Sequence, residues 1–396
     1  MVQLDLVQTL AAAGLVLFAG HALQRRLPLL ARHNVPPPVV GGLVVALALA
    51  GLRWAGHEPV RFDTTLQAPL MIAFFTAIGL GASLPLLRAG GPAVAACLGL
   101  ATALAVLQNL VGGAVARLLG VTPLLGVIAG ALTLAGGPAT GLAFAPQFEQ
   151  AGVRGAAALA IASAMVGIVS AGVVGGPLGT WLIEKRRLAT PAPASRPRPP
   201  SPAGATAGPA TAHALLKAVV VLLAAMALGS VVSAGVAAAG ITLPAYIGAM
   251  LVAALLRNLD DATGWIGLPH SLLADLGHAA LALFLALALM TLRLWELAGL
   301  ALPLAAILAV QVVLASAVCL WPCFRLFGGD YEAALTTSGF CGFMLGTTAN
   351  AMANMDALSE RYGPAPRAYL VVPVVGAFFI DFTNALVITA FLNLWR

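Results

Sequence analysis

Hydrophobic runs of about 20 residues recur along the whole chain, and this feature constrains the fold more than any other. Each run is long enough to cross the roughly 30 Å hydrocarbon core of a bilayer as a helix. The run from Ala93 to Ala116 is apolar on every face, whereas a membrane β-strand would alternate apolar and polar residues. These runs predict an all-α polytopic membrane protein that is surrounded by the lipid bilayer.

Run length predicts ten membrane spans. They cover residues 4–23, 36–52, 66–87, 93–116, 156–183, 214–239, 243–257, 271–292, 299–321 and 368–393. Most of the 20 lysine and arginine residues lie on one side if the N-terminus is outside, so the positive-inside rule predicts that both termini are outside. The net charge of +6 follows this topology and does not indicate a nucleic-acid partner.

One long segment is not apolar. Residues 184–213 are rich in proline, alanine and serine, a composition that cannot bury a core and that predicts a disordered linker. The charge distribution places this linker in the cytoplasm. It divides the chain into an N-terminal membrane repeat, residues 1–183, and a C-terminal membrane repeat, residues 214–396.

The two membrane repeats are similar in sequence. Val166–Gly176 aligns with Val375–Ala385, and Gln108 aligns with Gln311 at nearly the same offset, as a duplication requires. Each repeat has five predicted spans. Because five is an odd number, the second copy must cross the membrane in the inverted orientation. Inverted repeats of this kind are typical of secondary transporters.

Each repeat has a stretch between its fourth and fifth spans that glycine and proline interrupt and that is too apolar to be an ordinary loop. The first contains LAGGPATGLAFAPQF (134–148) and the second contains GFCGFMLGTTANAMANM (339–355). We interpret them as re-entrant hairpins, at about residues 122–150 and 331–356. Bare N–H groups at such breaks attract anions, and carbonyl, hydroxyl and amide oxygens suit a small cation.

The hairpins therefore predict a substrate and ion site, although small residues are also common where membrane helices only pack closely. The predicted substrate-binding residues are Gly136, Gly137, Thr140, Gly141, Gly346, Thr347, Thr348 and Asn350.

Asp381 is the acidic residue that the sequence places at the centre of a long apolar run, where a carboxylate is costly. Asn384 follows three residues later on the same helix face. We predict that Asp381 is a cation ligand or a partner of a substrate ammonium group, supported by Asn384; a hydrogen-bonded structural Asp is the alternative. The predicted cation set also includes Asn354 and Asn109. The buried amides of Gln108, Asn109 and Gln311 either serve function or only tie helices together.

Several motifs together resemble the bacterial sodium/glutamate symporter family. They are LMIAFFTAIGL (70–80), LRAGG (87–91), LFLALALMTLRLWELAGLALP (283–303), residues 339–355 and ERYGPAPRAYLVVPVVGAFFIDFTNALVI (360–388). The resemblance covers nearly the whole chain except the linker. It implies a homodimeric carrier of the bacterial inner membrane that takes up L-glutamate with Na⁺, through elevator-like movement of a hairpin-bearing core.

The chain also departs from the pattern of that family. Pro138 and Ala139 stand where the first hairpin usually has histidine and glycine, and Asn350 stands where the second usually has threonine. Gly81 and Ser83 replace a usual asparagine pair. A carrier of another small carboxylate, coupled to Na⁺ or H⁺, is therefore the alternative function.

An enzyme and a channel fit the sequence less well. The serine and paired-aspartate patterns of intramembrane proteases do not occur, and paired hairpins with one central acid suit an occluded site better than a pore. Bringing an anion into a cell against the membrane potential costs about 2.3 kcal/mol per 100 mV. We therefore expect Na⁺ as the coupling ion and no other cofactor.

Overall fold

The computed structural model describes residues 2–56, 60–89, 91–190, 212–238, 245–294 and 299–395. Within these ranges the chain is almost wholly helical, and two short strands, β1 (Val2–Gln3) and β2 (Val60–Arg61), pair in parallel. The chain divides into two compact units. The first unit comprises Met1–Ser83, Leu142–Ala158 and Gly208–Gly299, and the second comprises Leu84–Gly141, Leu159–Ala207 and Leu300–Arg396.

Eighteen α-helices are seen in the described residues, and three of them continue into wide π-helical turns. In chain order the helices are α1 (Leu6–Arg26), α2 (Pro28–Arg32), α3 (Pro37–Trp54), α4 (Gln67–Gly81), α5 (Leu84–Ala89), α6 (Gly91–Leu118), α7 (Pro123–Val127), α8 (Gly137–Gln150), α9 (Ala156–Lys185), α10 (Ala212–Ala238), α11 (Ala245–Thr263), α12 (His270–Met290), α13 (Ala301–Val318), α14 (Phe324–Leu326), α15 (Tyr331–Leu345), α16 (Thr348–Tyr362), α17 (Pro366–Val374) and α18 (Ile380–Leu394). The wide turns are Ile128–Leu132, Cys319–Cys323 and Val375–Phe379.

Seven helices in the described residues are long and apolar enough to cross a membrane, fewer than the ten predicted spans. An eighth is added if the bent pair Pro366–Ala377 and Ile380–Leu394 counts as one span. The predicted span 66–87 differs because α4 ends at Gly81, where Ala82 leaves the helical conformation. The predicted span 243–257 differs because its helix continues to Thr263 and gains charged residues. The helices still identify a polytopic membrane protein.

The first unit is packed through small residues. A Cβ atom on Gly20 of α1 would lie 2.1 Å from the Pro37 carbonyl oxygen of α3, and one on Gly229 of α10 would lie 2.1 Å from the Ala249 Cα atom of α11. Because no side chain intervenes, the helix backbones approach closely, as is common in membrane bundles. The buried Tyr246 ring also stacks on Phe75 with centroids 4.2 Å apart.

The second unit contains the whole second predicted hairpin and the first one as far as Gly141, and α6 contacts most of the unit's helices, including α7, α13, α15, α17 and α18. Helices α15 and α16 form a close antiparallel pair. A Cβ atom on Gly342 of α15 would lie 2.5 Å from the Ala351 Cα atom of α16. The second hairpin is therefore held together by backbone-to-backbone packing, which requires glycine at position 342.

Most of the predicted linker, residues 191–211, lies outside the described residues. Its predicted ends at 184 and 213 are helical, because α9 extends to Lys185 and α10 begins at Ala212. Glu184 accepts hydrogen bonds from Arg361 (3.0 Å) and Tyr362 (2.6 Å), which ties the end of α9 to the end of α16.

Candidate substrate and ion site

The first hairpin is broken within its first arm. This arm runs over Pro123–Leu132, and Gly130 in its wide turn has a non-helical backbone conformation, with φ −103° and ψ −134°. The second arm, α8, begins at Gly137, whose φ of +67° lies in the left-handed region that favours glycine. The hairpin therefore has a break at Gly130 in addition to the predicted tip at 136–141.

Two asparagine side chains satisfy the backbone at this break. The Ala131 N–H donates to Asn109 Oδ1 of α6 at 3.1 Å, and Asn384 Nδ2 of α18 donates to the Ala131 carbonyl at 2.8 Å. Both asparagines are fully buried. Backbone groups that leave a regular helix at membrane depth need such partners. Two of the four predicted cation ligands, Asn109 and Asn384, thus each have one end of the amide bound to the first hairpin.

Two glutamines lie beside these asparagines. Gln108 Nε2 donates to the Met344 carbonyl at 3.3 Å, and Gln311 Nε2 of α13 donates to the Gln108 carbonyl at 2.6 Å. Met344 lies two residues before Gly346 at the tip of the second hairpin. Consecutive residues of α6, Gln108 and Asn109, therefore contact the second and the first hairpin respectively.

The tip of the second hairpin is a helix start with a reciprocal cap. Helix α15 ends at Gly346, and Thr347 caps α16. The Thr347 hydroxyl donates to Asn350 Oδ1 at 2.8 Å, and the Asn350 N–H donates back to the Thr347 hydroxyl at 3.4 Å. Asn350 is fully buried. The cap uses the Asn350 N–H, and a helix start of this kind leaves other N–H groups of its first turn for an anion to bind.

The two tips meet within the second unit. A Cβ atom on Gly137 would lie 3.9 Å from Thr347 Cγ2, which is an ordinary van der Waals contact. The structure therefore brings together the starts of α8 and α16, and with them the predicted substrate-binding stretches 136–141 and 346–350.

The three threonines of the predicted substrate set differ in their hydrogen bonds. The Thr348 hydroxyl donates to the Gly376 carbonyl at 2.5 Å, and the Thr347 hydroxyl donates to Asn350. The Thr140 side chain is only 2% exposed, and its hydroxyl has no hydrogen bond to any residue that the structure describes. In this conformation Thr140 keeps a free donor for a ligand, whereas Thr347 and Thr348 use theirs within the protein.

Comparison with known proteins places this chain in a family. The family model described as "Sodium/glutamate symporter" matches residues 2–364. A sodium/glutamate symporter of Escherichia coli (strain K12) is 40% identical over 396 residues, covering 100% of this chain and 99% of that protein. One of Haemophilus influenzae (strain ATCC 51907 / DSM 11121 / KW20 / Rd) is 36% identical over 384 residues, covering 96% of this chain and 95% of that protein. The chain belongs to the sodium/glutamate symporter family.

In this member of the family, α9 anchors the second hairpin. Side chains of the hairpin donate hydrogen bonds to backbone carbonyls of α9. Asn350 Nδ2 donates to Ile168 (3.2 Å) and Asn354 Nδ2 donates to Ala171 (3.0 Å). The Ser338 hydroxyl donates to Gly175 at 2.7 Å. Ser338 was missed by sequence reasoning, and its place in the first arm of a glycine-rich hairpin was the available signal.

The predicted cation ligands are thus in two places. Asn109 and Asn384 lie at the break of the first hairpin, whereas Asn354 lies between α16 and α9. A Cβ atom on Gly175 would lie 2.1 Å from Asn354 Nδ2, so the glycine makes room for that amide. Asn354 Oδ1 accepts no hydrogen bond from any described residue.

Asp381 lies near the middle of the predicted span 368–393, and the helix is bent at this place. It is the second residue of α18, directly after the wide turn Val375–Phe379, where the helix axis bends by 43°. The bend follows Pro373, which cannot donate a helical hydrogen bond. The half-buried Asp381 carboxylate has no hydrogen bond or ion pair to the described residues. The alternative interpretation, a structural Asp held by hydrogen bonds, therefore finds no such bond among the described residues.

Proposed function

We propose that this chain is a secondary active transporter that carries L-glutamate together with Na⁺ across the bacterial inner membrane. The observation that carries the proposal is the proximity of the two hairpin tips, where a Cβ atom on Gly137 would lie 3.9 Å from Thr347 Cγ2. Two helix starts, which attract anions, therefore lie close together in space. The chain that contains them belongs to the sodium/glutamate symporter family.

The proposed substrate site lies at these tips. Backbone N–H groups at the starts of α8 and α16, together with the Thr140 hydroxyl, would hold the carboxylates of glutamate. The remaining proposed contacts are Gly136, Gly141, Gly346, Thr347, Thr348 and Asn350, which shape the tips. Thr347 and Thr348 would reach the substrate directly only if they exchanged the hydrogen bonds that they make here.

The proposed cation ligands are Asp381 and Asn384 near the break of the first hairpin, with Asn354 between α16 and α9, while Asn109, whose Oδ1 accepts from the Ala131 N–H, holds the break in place. A Na⁺ ion near Asp381 would compensate a carboxylate that has no other partner among the described residues. Coupling is needed because glutamate is a net anion and the membrane potential opposes its entry by about 2.3 kcal/mol per 100 mV. One Na⁺ cancels this electrical cost, and a second would make the potential favour uptake.

The proposed architecture is a pair of inverted repeats with re-entrant hairpins. Gln108 and Gln311, which align between the halves, contact each other, as residues near a pseudo-two-fold axis do. Asn384 of α18 also binds the first arm of hairpin one, while Gly175, its counterpart in α9, binds the first arm of hairpin two. These equivalent contacts support an inverted duplication.

We further propose an elevator-type mechanism in which the second unit, which contains both hairpin tips, moves as one body. The bonds from α9 to the second hairpin support movement of that hairpin with its unit. A homodimer with both termini outside and the linker in the cytoplasm completes the proposal.

Uptake of labelled L-glutamate into proteoliposomes tests the function. We expect saturable uptake that an inward Na⁺ gradient drives and that an H⁺ gradient alone does not. Linear uptake without saturation would indicate a channel, and uptake of another carboxylate in preference to glutamate would support the alternative carrier.

Replacing Thr140 with alanine should raise the KM for glutamate by about 10- to 100-fold, because a hydrogen bond to a charged group contributes about 1.5–3 kcal/mol. Initial uptake rates over a range of glutamate concentrations measure this change. Thr263→Ala is the matched control, because the Thr263 hydroxyl donates to the Leu259 carbonyl of its own helix in the first unit. Equal, small changes of KM in both variants would indicate that the first hairpin only packs against other helices.

A further inference from the structure

Four buried carboxamides around the break of the first hairpin share an unusual feature. Each has one end hydrogen-bonded to the backbone and the other end buried without a partner among the described residues. The four unpaired atoms are Gln108 Oε1, Asn109 Nδ2, Gln311 Oε1 and Asn384 Oδ1. All four residues are 0% exposed.

The orientation of each amide is determined by its backbone partner. The nitrogens of Gln108, Gln311 and Asn384 all face carbonyl oxygens, so exchanging N and O would set oxygen against oxygen. Asn109 instead accepts from the Ala131 N–H, so its nitrogen is the unpaired end. Three unpaired oxygens and one unpaired nitrogen remain.

These groups belong to one region of the second unit. Gln311 reaches the Gln108 carbonyl, and Asn109 and Asn384 bind the two backbone groups of Ala131. A Cβ atom on Gly130 would lie 3.0 Å from Asn109 Oδ1 and 3.2 Å from the Gln108 carbonyl oxygen. The Asn109 side chain and the Gln108 backbone carbonyl thus lie at the broken turn, and Gln311 and Asn384 bind backbone groups beside it.

A buried acceptor without a partner costs about 1–3 kcal/mol, so three of them in one region need a positive or donating ligand. Asp381, which has no partner among the described residues, lies three residues before Asn384 on α18 and adds a negative charge. Amide and carboxylate oxygens are hard ligands that suit a small cation, and broken helices commonly supply such sites.

We propose that a Na⁺ ion binds at the break of the first hairpin through the side-chain oxygens of Gln108, Gln311 and Asn384, with Asp381 providing the compensating charge. This inference rests on the proposed Na⁺-coupled function and assigns the two glutamines a role in it. Gln108 also donates to Met344 near the second tip, so the same side chain links the ion to the substrate site.

Thermal unfolding of the purified full chain without glutamate tests the site, because a ligand that binds the folded state raises Tm. We expect Na⁺ to raise the Tm of the wild type relative to K⁺ at equal ionic strength. Gln108→Met and Gln311→Met should lose this shift. Both should also need at least about tenfold more Na⁺ for half-maximal glutamate uptake.

Gln24→Met is the matched control. Gln24 also donates through Nε2 to a backbone carbonyl, that of Val35, but it lies in the first unit and is only half-buried. Its Na⁺ shift in Tm and its Na⁺ dependence should equal those of the wild type.

A wild-type Na⁺ shift that persists in both glutamine variants would overturn the inference, and so would the lack of any shift in the wild type. If neither methionine variant folds, Asp381→Asn replaces them, and a wild-type Na⁺ shift that persists in Asp381→Asn would overturn the inference. A different result would contradict the proposed function itself: wild-type protein that shows no Na⁺-driven glutamate uptake.

Discussion

Replacing Asp381 with asparagine is expected to reduce Na⁺-driven glutamate uptake to the level of protein-free liposomes while the protein still folds. The Asp381 carboxylate has no hydrogen bond or ion pair to the described residues, so its removal breaks no structural contact among them. The neutral amide removes the charge that would bind Na⁺ and relieves the cost of a half-buried carboxylate. Uptake in proteoliposomes, together with Tm and elution volume in detergent, measures both parts of this result.

Asp275→Asn is the control for charge removal, because Asp275 is an exposed aspartate of α12 in the first unit. It should keep wild-type uptake and wild-type Na⁺ dependence. Na⁺-driven uptake of normal Na⁺ dependence in Asp381→Asn would rule out Asp381 as a cation ligand.

Gly342→Ala is expected to cause a second large loss, by moving the tip of the second hairpin. The added methyl group would lie 2.5 Å from Ala351 Cα and 2.6 Å from Ala351 N, so the backbones of α15 and α16 must separate. Overpacking of this kind costs about 1–3 kcal/mol. Because the tip at 346–350 follows directly, we expect a lower Tm and at least a tenfold loss of uptake, about 1.4 kcal/mol in equivalent free energy.

Gly99→Ala is expected to change stability in the opposite direction. Outside the adjacent turns of α6, no atom of the described residues lies within 4 Å of a Cβ at Gly99, an exposed position, so alanine should be neutral or stabilising by about 0.5–1 kcal/mol. Equal Tm values and equal uptake in the two alanine variants would show that the arms of the second hairpin have room to adapt.

Some features followed from local sequence alone. Apolar runs that exceed the length needed to cross a bilayer identified α1, α6, α9, α12 and other long helices, because in lipid the backbone must satisfy its own hydrogen bonds. The glycine-rich stretches correctly indicated interrupted helices at 134–148 and 339–355, because a glycine or a cap residue changes backbone conformation at its own position.

Other features depended on contacts between distant segments. The Asn384 amide meets Ala131, which is 253 positions earlier, and Gln108 meets Met344, which is 236 positions later. A sequence pattern marks an amide as costly in a membrane but does not say which carbonyl it binds. The tertiary structure therefore decided that Thr348 is bound to Gly376 and that Thr140 keeps a free hydroxyl.

The sequence by itself determined the membrane class and the set of polar residues placed in apolar runs, since length and composition control insertion into lipid. It also predicted the paired hairpins. Only the tertiary structure decided that the first hairpin breaks at Gly130, that Asp381 begins a helix after a bend, and that both hairpin tips meet. These three features depend on which helices pack together, because a backbone N–H or C=O group outside a regular helix hydrogen-bonds to a partner on the neighbouring helix.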